Sequence, residues 1–219
     1  MIVSDEIIIR IKADGSVSVE EHKDGVQSFK AITPDSLLDC INKSLMRSGV
    51  ASGLLPRGCL SFKENDDGSR VITILHEPDR ADISYMGTIY KDFPLPRLVF
   101  GFNISEEGRV SNCKLGIVDK SSILTPETSM FVYPFSNVSG THLCVGNNRF
   151  PQVKSLHTLG SLTYLILSMD NNNDNFNPSN NKLGLEMRDL LELLKDKPPS
   201  CYYEHILLPS GKTLGDFIS

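Results

Sequence analysis

The sequence predicts an α+β fold: an antiparallel β-meander flanked by helices, with an extra β-hairpin at the N-terminus. Two observations carry this. Short alternating apolar runs separated by polar turns fill residues 59–118, which is the period of a strand with one buried face. Three stripes at helical spacing lie outside that stretch, so the order is hairpin, helix, meander, cysteine loop, helix, helix, as expected when helices and strands are segregated.

In chain order, Ile7, Ile9 and Ile11 share one strand face, Asp14-Gly15 marks a turn, and Val17 and Val19 resume the alternation, so residues 6–22 read as a hairpin. Glu20, Glu21, His22, Lys23 and Asp24 are expected at its exposed end. A helix begins at Thr33, whose hydroxyl can cap free backbone N–H groups, with Pro34 at the first helical position and Asp35 against the positive helix end. Leu37, Leu38, Ile41, Leu45 and Met46 form its stripe, with Cys40 beside it as a small filler, and Ser48-Gly49 ends it. Strands follow at 59–63 and 70–76 around the turn Asn65-Asp66-Asp67-Gly68, with a weaker candidate at 83–90. Phe93-Pro94-Leu95-Pro96 is excluded from a sheet interior because proline has no N–H. Residues 98–104 and 110–118 pair around Glu106-Glu107-Gly108. After residue 120 the chain is loop-rich, with an apolar piece at 130–133 and another at 142–145. Leu156 to Met169 reads as a buried helix, the Asn- and Asp-rich tract 170–181 as a loop, and Leu183 to Lys195 as a last helix stopped by Pro198-Pro199. The expected organisation is an N-terminal hairpin extension, 1–30, and one domain, 31–219, with a short tail after Pro199.

Composition bounds the function. The 219 residues hold 22 Lys and Arg against 27 Asp and Glu, a net charge of −5. That balance argues against broad binding to a phosphate backbone, so no nucleic-acid partner is expected. No run approaches the ~20 apolar residues of a membrane helix, so no membrane partner is expected either. Met1 to Glu6 lacks the basic-then-apolar pattern of a signal peptide, and a cytoplasmic protein is expected. The five cysteines, Cys40, Cys59, Cys113, Cys144 and Cys201, are odd in number and include no Cys-x-x-Cys pair, which disfavours disulfides and zinc.

Cys144 differs from the other four. It lies between an irregular Pro/Asn/Gly loop and a Gly-Asn-Asn turn, the setting in which a reactive thiol is held within reach of a partner. Cys59 and Cys113 fall in strand patterns, and Cys201 has no informative neighbour. Three chemistries compete for Cys144. A cysteine protease needs a histidine base, for which His142, His157 and His205 are candidates. A metal site would need more ligands than His142-x-Cys144. Transthiolation needs no strong base at the cysteine, only a hydrogen-bond donor for the tetrahedral oxyanion, and an Asn amide suits that role.

The stretch Tyr133-Pro134-Phe135-Ser136-Asn137-Val138-Ser139-Gly140-Thr141-His142-Leu143-Cys144-Val145 resembles the active-site stretch of ubiquitin-conjugating enzymes, in its Asn-aliphatic pair, its spacer glycine and its cysteine between aliphatic residues. Phe150-Pro151 precedes the following helix as an aromatic and a proline do in that family. Phe135-Ser136 stands where the family has His-Pro, and the interval from Asn137 to Cys144 is one residue shorter than in eukaryotic members. The resemblance is closer to the prokaryotic ubiquitin-conjugating-like proteins related to protein B of the PRTRC system. It is carried by Leu95 to Phe102, Val110 to Leu115 and Tyr133 to Gly146, and it spans roughly residues 30–195. It implies a ubiquitin-conjugating-enzyme-like fold and a carrier enzyme. Cys144 would accept a ubiquitin-like protein as a thioester from an activating enzyme and pass it to an amine of a protein target. Asn137 would stabilise the oxyanion or brace the loop. Asp174, with Asp170 as the second candidate, would orient or deprotonate the amine, and His142 is a candidate for either polar role. The resemblance implies no metal or organic cofactor, and a bacterial setting in which some relatives serve antiviral defence. The alternative is a catalytically inactive binding module or scaffold of the same fold.

Overall fold

The protein is described by a computed structural model covering residues 6–23, 25–45 and 52–219. The chain is α+β with mostly antiparallel sheets and divides into two compact units, residues 1–51 and 52–219. The expected N-terminal extension ended at residue 30. The first unit runs further and takes the first helix with it. Residues 1–5, Asp24, Met46, the side chain of Leu45 and the stop at Ser48-Gly49 lie outside the described residues.

The first unit pairs β1 (Glu6–Ile11) with β2 (Val17–Lys23), as the hairpin pattern predicts, and adds a third strand, β3 (Val26–Ile32), before α1 (Pro34–Leu45). Thr33 caps α1 as expected, its hydroxyl accepting from the Ser36 N–H at 3.1 Å. Two expectations fail here. Cys40 is exposed rather than filling a core. Glu20 is not at an exposed end: it sits within β2, 6% exposed, where His22, Arg10 and Gln27 surround its carboxylate. A carboxylate can be buried when donors replace its water, as they do here.

The second unit begins with β4 (Cys59–Glu64) and β5 (Arg70–His76). The hairpin β6 (Asp79–Tyr85) and β7 (Thr88–Leu95) follows, then β8 (Leu98–Ile104), β9 (Val110–Val118) and β10 (Ser129–Phe131). Next come two short strands, β11 (Val138–Ser139) and β12 (His142–Leu143), then α2 (Leu159–Leu167), β13 (Asp170–Asn171), α3 (Met187–Leu194), β14 (Pro209–Thr213) and α4 (Leu214–Ile218). The main sheet runs in the order β11-β12-β9-β8-β5-β4, with β10 joining β9 to β14. The meander is therefore interrupted: β6 and β7 leave it and form a second sheet, ordered β13-β6-β7.

That second sheet corrects three expectations. Residues 83–90 are not one weak strand but two, reversing at Met86 and Gly87, both at positive φ (46° and 76°) as a two-residue hairpin turn requires. Pro94 does lie in a strand, opposite Arg80. It is tolerated because β7 is an edge, so its missing N–H deprives no further strand of a donor. Asp170 and Asn171 are not loop residues but pair in parallel with Ser84 and Tyr85.

Strand alternation divides the core. Leu98, Phe100, Phe102 and Ile104 of β8 face one layer, with Ile72 and Ile74, Leu115 and Ile117, and the buried faces of α2 and α3. Val99 and Val118 face the other, under Met130, Leu214 and Phe217. A Cβ on Gly116 would lie 3.3 Å from the Phe217 ring and 2.6 Å from Met130, so the missing side chain there seats α4 against the sheet. The segment after Pro199 is not a tail: Tyr202, Ile206 and Leu207 are fully buried, and β14 pairs with β10. Helix α2 is buried on one side only, because Tyr164 and Leu165 are exposed. Helix α3 starts at Met187 rather than Leu183. Asn181 accepts from the Leu185 N–H at 3.0 Å and Gly184 takes φ 63°, which together form a turn. No helix among the described residues is long and apolar enough to cross a membrane.

Candidate functional site

Cys144 is exposed, immediately after β12. The miniature hairpin β11–β12 explains its spacing from Asn137. Val138 pairs with Leu143 and Ser139 with His142 around Gly140 (φ 63°) and Thr141. The next rung outward sets Asn137 opposite Cys144, and the Cys144 N–H donates to the Asn137 C=O at 2.7 Å. The hairpin hangs on β9 through His142 opposite Lys114 and a bond from the Leu115 N–H to the Thr141 C=O at 2.8 Å.

Asn137 also holds the opposite wall. Its φ is 62°, a left-handed conformation that asparagine tolerates better than most residues, and its N–H donates to the Asp174 C=O at 2.8 Å. Three residues singled out in the sequence, Cys144, Asn137 and Asp174, are thus joined through the backbone of one of them. The Asn137 amide itself is loosely held: its Nδ2 lies 3.4 Å from the Asp170 C=O and 3.5 Å from Asn171 Oδ1, at the long limit of a hydrogen bond.

The two aspartates differ. The Asp170 carboxylate is committed, accepting from the Ser84 hydroxyl at 2.6 Å and the Gly87 N–H at 3.3 Å. Asp174 is exposed in a tight turn, with Asn172 Nδ2 donating to its carboxylate at 2.9 Å and its own N–H donating to Asn172 Oδ1 at 2.6 Å. His142 is exposed and makes no hydrogen bond to Cys144, and neither His157, bonded to Ser155 at 2.9 Å, nor His205 does so.

Several contributors were not legible in the sequence. Asn171 organises the site: its Oδ1 accepts from the buried Ser136 hydroxyl at 3.1 Å, and its Nδ2 donates to the Ser84 C=O at 3.1 Å. Within a run of asparagines nothing marks which one turns inward; the parallel pairing of β13 with β6 does so. Tyr133 stands edge-on to Phe135 at 5.6 Å, and burial pushes its phenol above the ordinary range. Cys144, Asn137, Ser136, Asn171 and Tyr133 line a narrow cavity of about 40 Å³ together with apolar side chains such as Leu115 and Ile166. That is room for a water or two. Among the described residues no three His, Cys, Asp or Glu side chains gather as a metal site.

Burial pushes the Cys113 thiol up to about 11 and also raises that of Cys59. Compared with protein-family models, curated proteins and solved structures, the chain matches none.

Proposed function

We propose that the chain is a carrier enzyme of the ubiquitin-conjugating kind, holding the C-terminal carbonyl of a ubiquitin-like protein as a thioester on Cys144. The observation that carries this reading is the exposed Cys144 joined through the Asn137 backbone to Asp174, at 2.7 Å on one side and 2.8 Å on the other. An element order of helix, antiparallel sheet, Asn-Cys loop, helix and Asn/Asp turn agrees with the ubiquitin-conjugating-like fold.

In the first step the Cys144 thiolate attacks the thioester carbonyl on the activating enzyme. A tetrahedral oxyanion forms, the activating enzyme's thiolate leaves, and a new thioester replaces the old. No strong base is needed because thiolate replaces thiolate, which agrees with the absence of a histidine bonded to the sulfur. In the second step an amine of the target attacks, an amide forms, and Cys144 departs as the thiolate while the amine gives up one proton to a carboxylate. The Asn137 amide, only weakly engaged, is free to turn toward the oxyanion. Asp174 is the carboxylate assigned to receive the amine's proton, since it is exposed while Asp170 is already bound by Ser84 and Gly87.

The test is a non-reducing gel of the protein with ATP and the ubiquitin-like protein and activating enzyme of the same genome. A thiol-sensitive adduct is expected, lost in Cys144→Ala and converted to a thiol-resistant ester in Cys144→Ser. An adduct that survives in Cys144→Ala removes Cys144 from the chemistry. A Cys144 that resists iodoacetamide and never loads would favour the inactive module.

A further inference from the structure

A second concavity is lined by Leu143 and Val145, the two chain neighbours of Cys144, but not by Cys144 or Asn137 themselves. Leu143 lines both, and Val145 lines only this one, so Leu143-Cys144-Val145 forms the partition between them. The second is an open groove of about 690 Å³, running from Arg109 along Val110–Cys113 on one wall, with Arg149 and Phe150 on the other. No carboxylate side chain lines it, and neither arginine is in an ion pair among the described residues.

The β9 wall is an unfinished sheet edge. Strand β9 pairs with β8, with a bulge at Ser111, but on its outer side it meets β12 only at Lys114 and β10 only at Ile117 and Val118 among the described residues. Residues Val110 to Cys113 have a strand partner on one side only. The Leu115 N–H already points outward to Thr141, and the two-residue period turns the backbone of Cys113 the same way. The opposite wall does not close this edge. Val145 to Asn148 instead folds on itself, with the Asn148 N–H and side-chain amide both donating to the Val145 C=O, at 3.0 and 2.9 Å.

We propose that this groove binds an extended acidic peptide as an added strand on β9, and that the peptide is the C-terminal tail of the protein carried on Cys144. The direction rests on reading Cys144 as the acyl acceptor: the tail's last carbonyl must reach the sulfur, and both chain neighbours of Cys144, Leu143 and Val145, line the groove. Strand β9 begins at Val110, next to Arg109, so from Cys113 back to Arg109 is at most ~13 Å of extended chain. A tail in register therefore places its fourth or fifth residue from the end between Arg109 and Arg149, where an Asp or Glu is favoured and a Lys repelled. Main-chain pairing along the edge supplies affinity and the arginines supply selection. The reaction balances without a co-reactant: the peptide thioester's bond to its leaving thiolate breaks as the bond to the Cys144 sulfur forms.

The probes are pentapeptides with Asp or Lys at the first position. One set consists of 2-mercaptoethanesulfonate thioesters, read by intact mass for loading. The other consists of fluorescein-labelled carboxamides, read by anisotropy on Cys144→Ala protein, where no acylation intrudes. At low salt the Asp peptide should bind at least tenfold tighter than the Lys peptide, and Arg109→Glu/Arg149→Glu should reverse the preference. N-methylation should weaken binding at alternate residues and not at those between. Equal binding of the two peptides, no binding of either, or indifference to charge reversal or N-methylation overturns the groove. A failure of every thioester to load Cys144 sinks the acceptor reading instead, while the anisotropy result decides the groove independently.

Discussion

At the scale of single residues the account turns on Asn137, which has two separable contributions: a left-handed backbone that joins Cys144 to Asp174, and a side-chain amide with no strong partner. Asn137→Gly keeps the first and removes the second; Asn137→Ala removes the amide and also strains the loop by about 1–2 kcal/mol. If the amide stabilises the oxyanion, both variants should transfer to an amine ~100-fold more slowly than the parent, as for other lost oxyanion donors. If Asn137 only braces the loop, Asn137→Gly should retain nearly full rate while Asn137→Ala does not. Single-turnover discharge of preloaded protein to free lysine separates the two. In the sequence Asn137 and Cys144 are brought together only by the resemblance, although the six positions between them, with Gly140-Thr141 in the middle, fit a two-residue turn. The inward turn of Asn171 was not legible in the sequence, since it depends on Ser84 and Ser136, far away in the chain.

At the scale of elements, β6–β7 carries a strained turn. Met86 takes φ 46°, costly for a residue with a long side chain, and it is exposed, so nothing in the core requires methionine there. Met86→Asn should stabilise the protein by about 1 kcal/mol, seen as a higher denaturant midpoint at unchanged slope. This turn was misread in the sequence because a Met-Gly pair carries a weak hairpin signal, and Pro94 was misread because edge position depends on strand order. In the first unit, the Glu20 carboxylate is held down to about 2 by His22 first and Arg10 second. A lowered folded value means that its stabilisation is present above the ordinary 4.5 and is lost as pH falls from there toward 2. Amide protection factors along β2, corrected for the intrinsic pH dependence of exchange, should therefore fall over that window in the parent, and Glu20→Gln should flatten the change.

At the scale of the whole molecule, the second unit is a sheet covered on both faces by segments that follow it in sequence. Helices α2 and α3 cover one face as their apolar stripes predict. The other face is closed by residues 209–219, which look like a tail in the sequence because a five-residue helix has too few turns to show a stripe. Phe217, 4% exposed over Gly101 and Gly116, is the residue that seals it. Phe217→Ala should cost about 3–4 kcal/mol in equilibrium unfolding; a loss below 1 kcal/mol would show that α4 is an ornament to the fold. The sheet in turn presents β9, from which the β11–β12 hairpin, Cys144 and the open groove all depend. The most direct measurement of the central claim is the intact mass of the protein after incubation with ATP, activating enzyme and ubiquitin-like protein. The account predicts a single added modifier less one water, mapped to Cys144 and released by dithiothreitol. A loaded activating enzyme beside an unmodified Cys144, or an adduct mapped elsewhere, would contradict it.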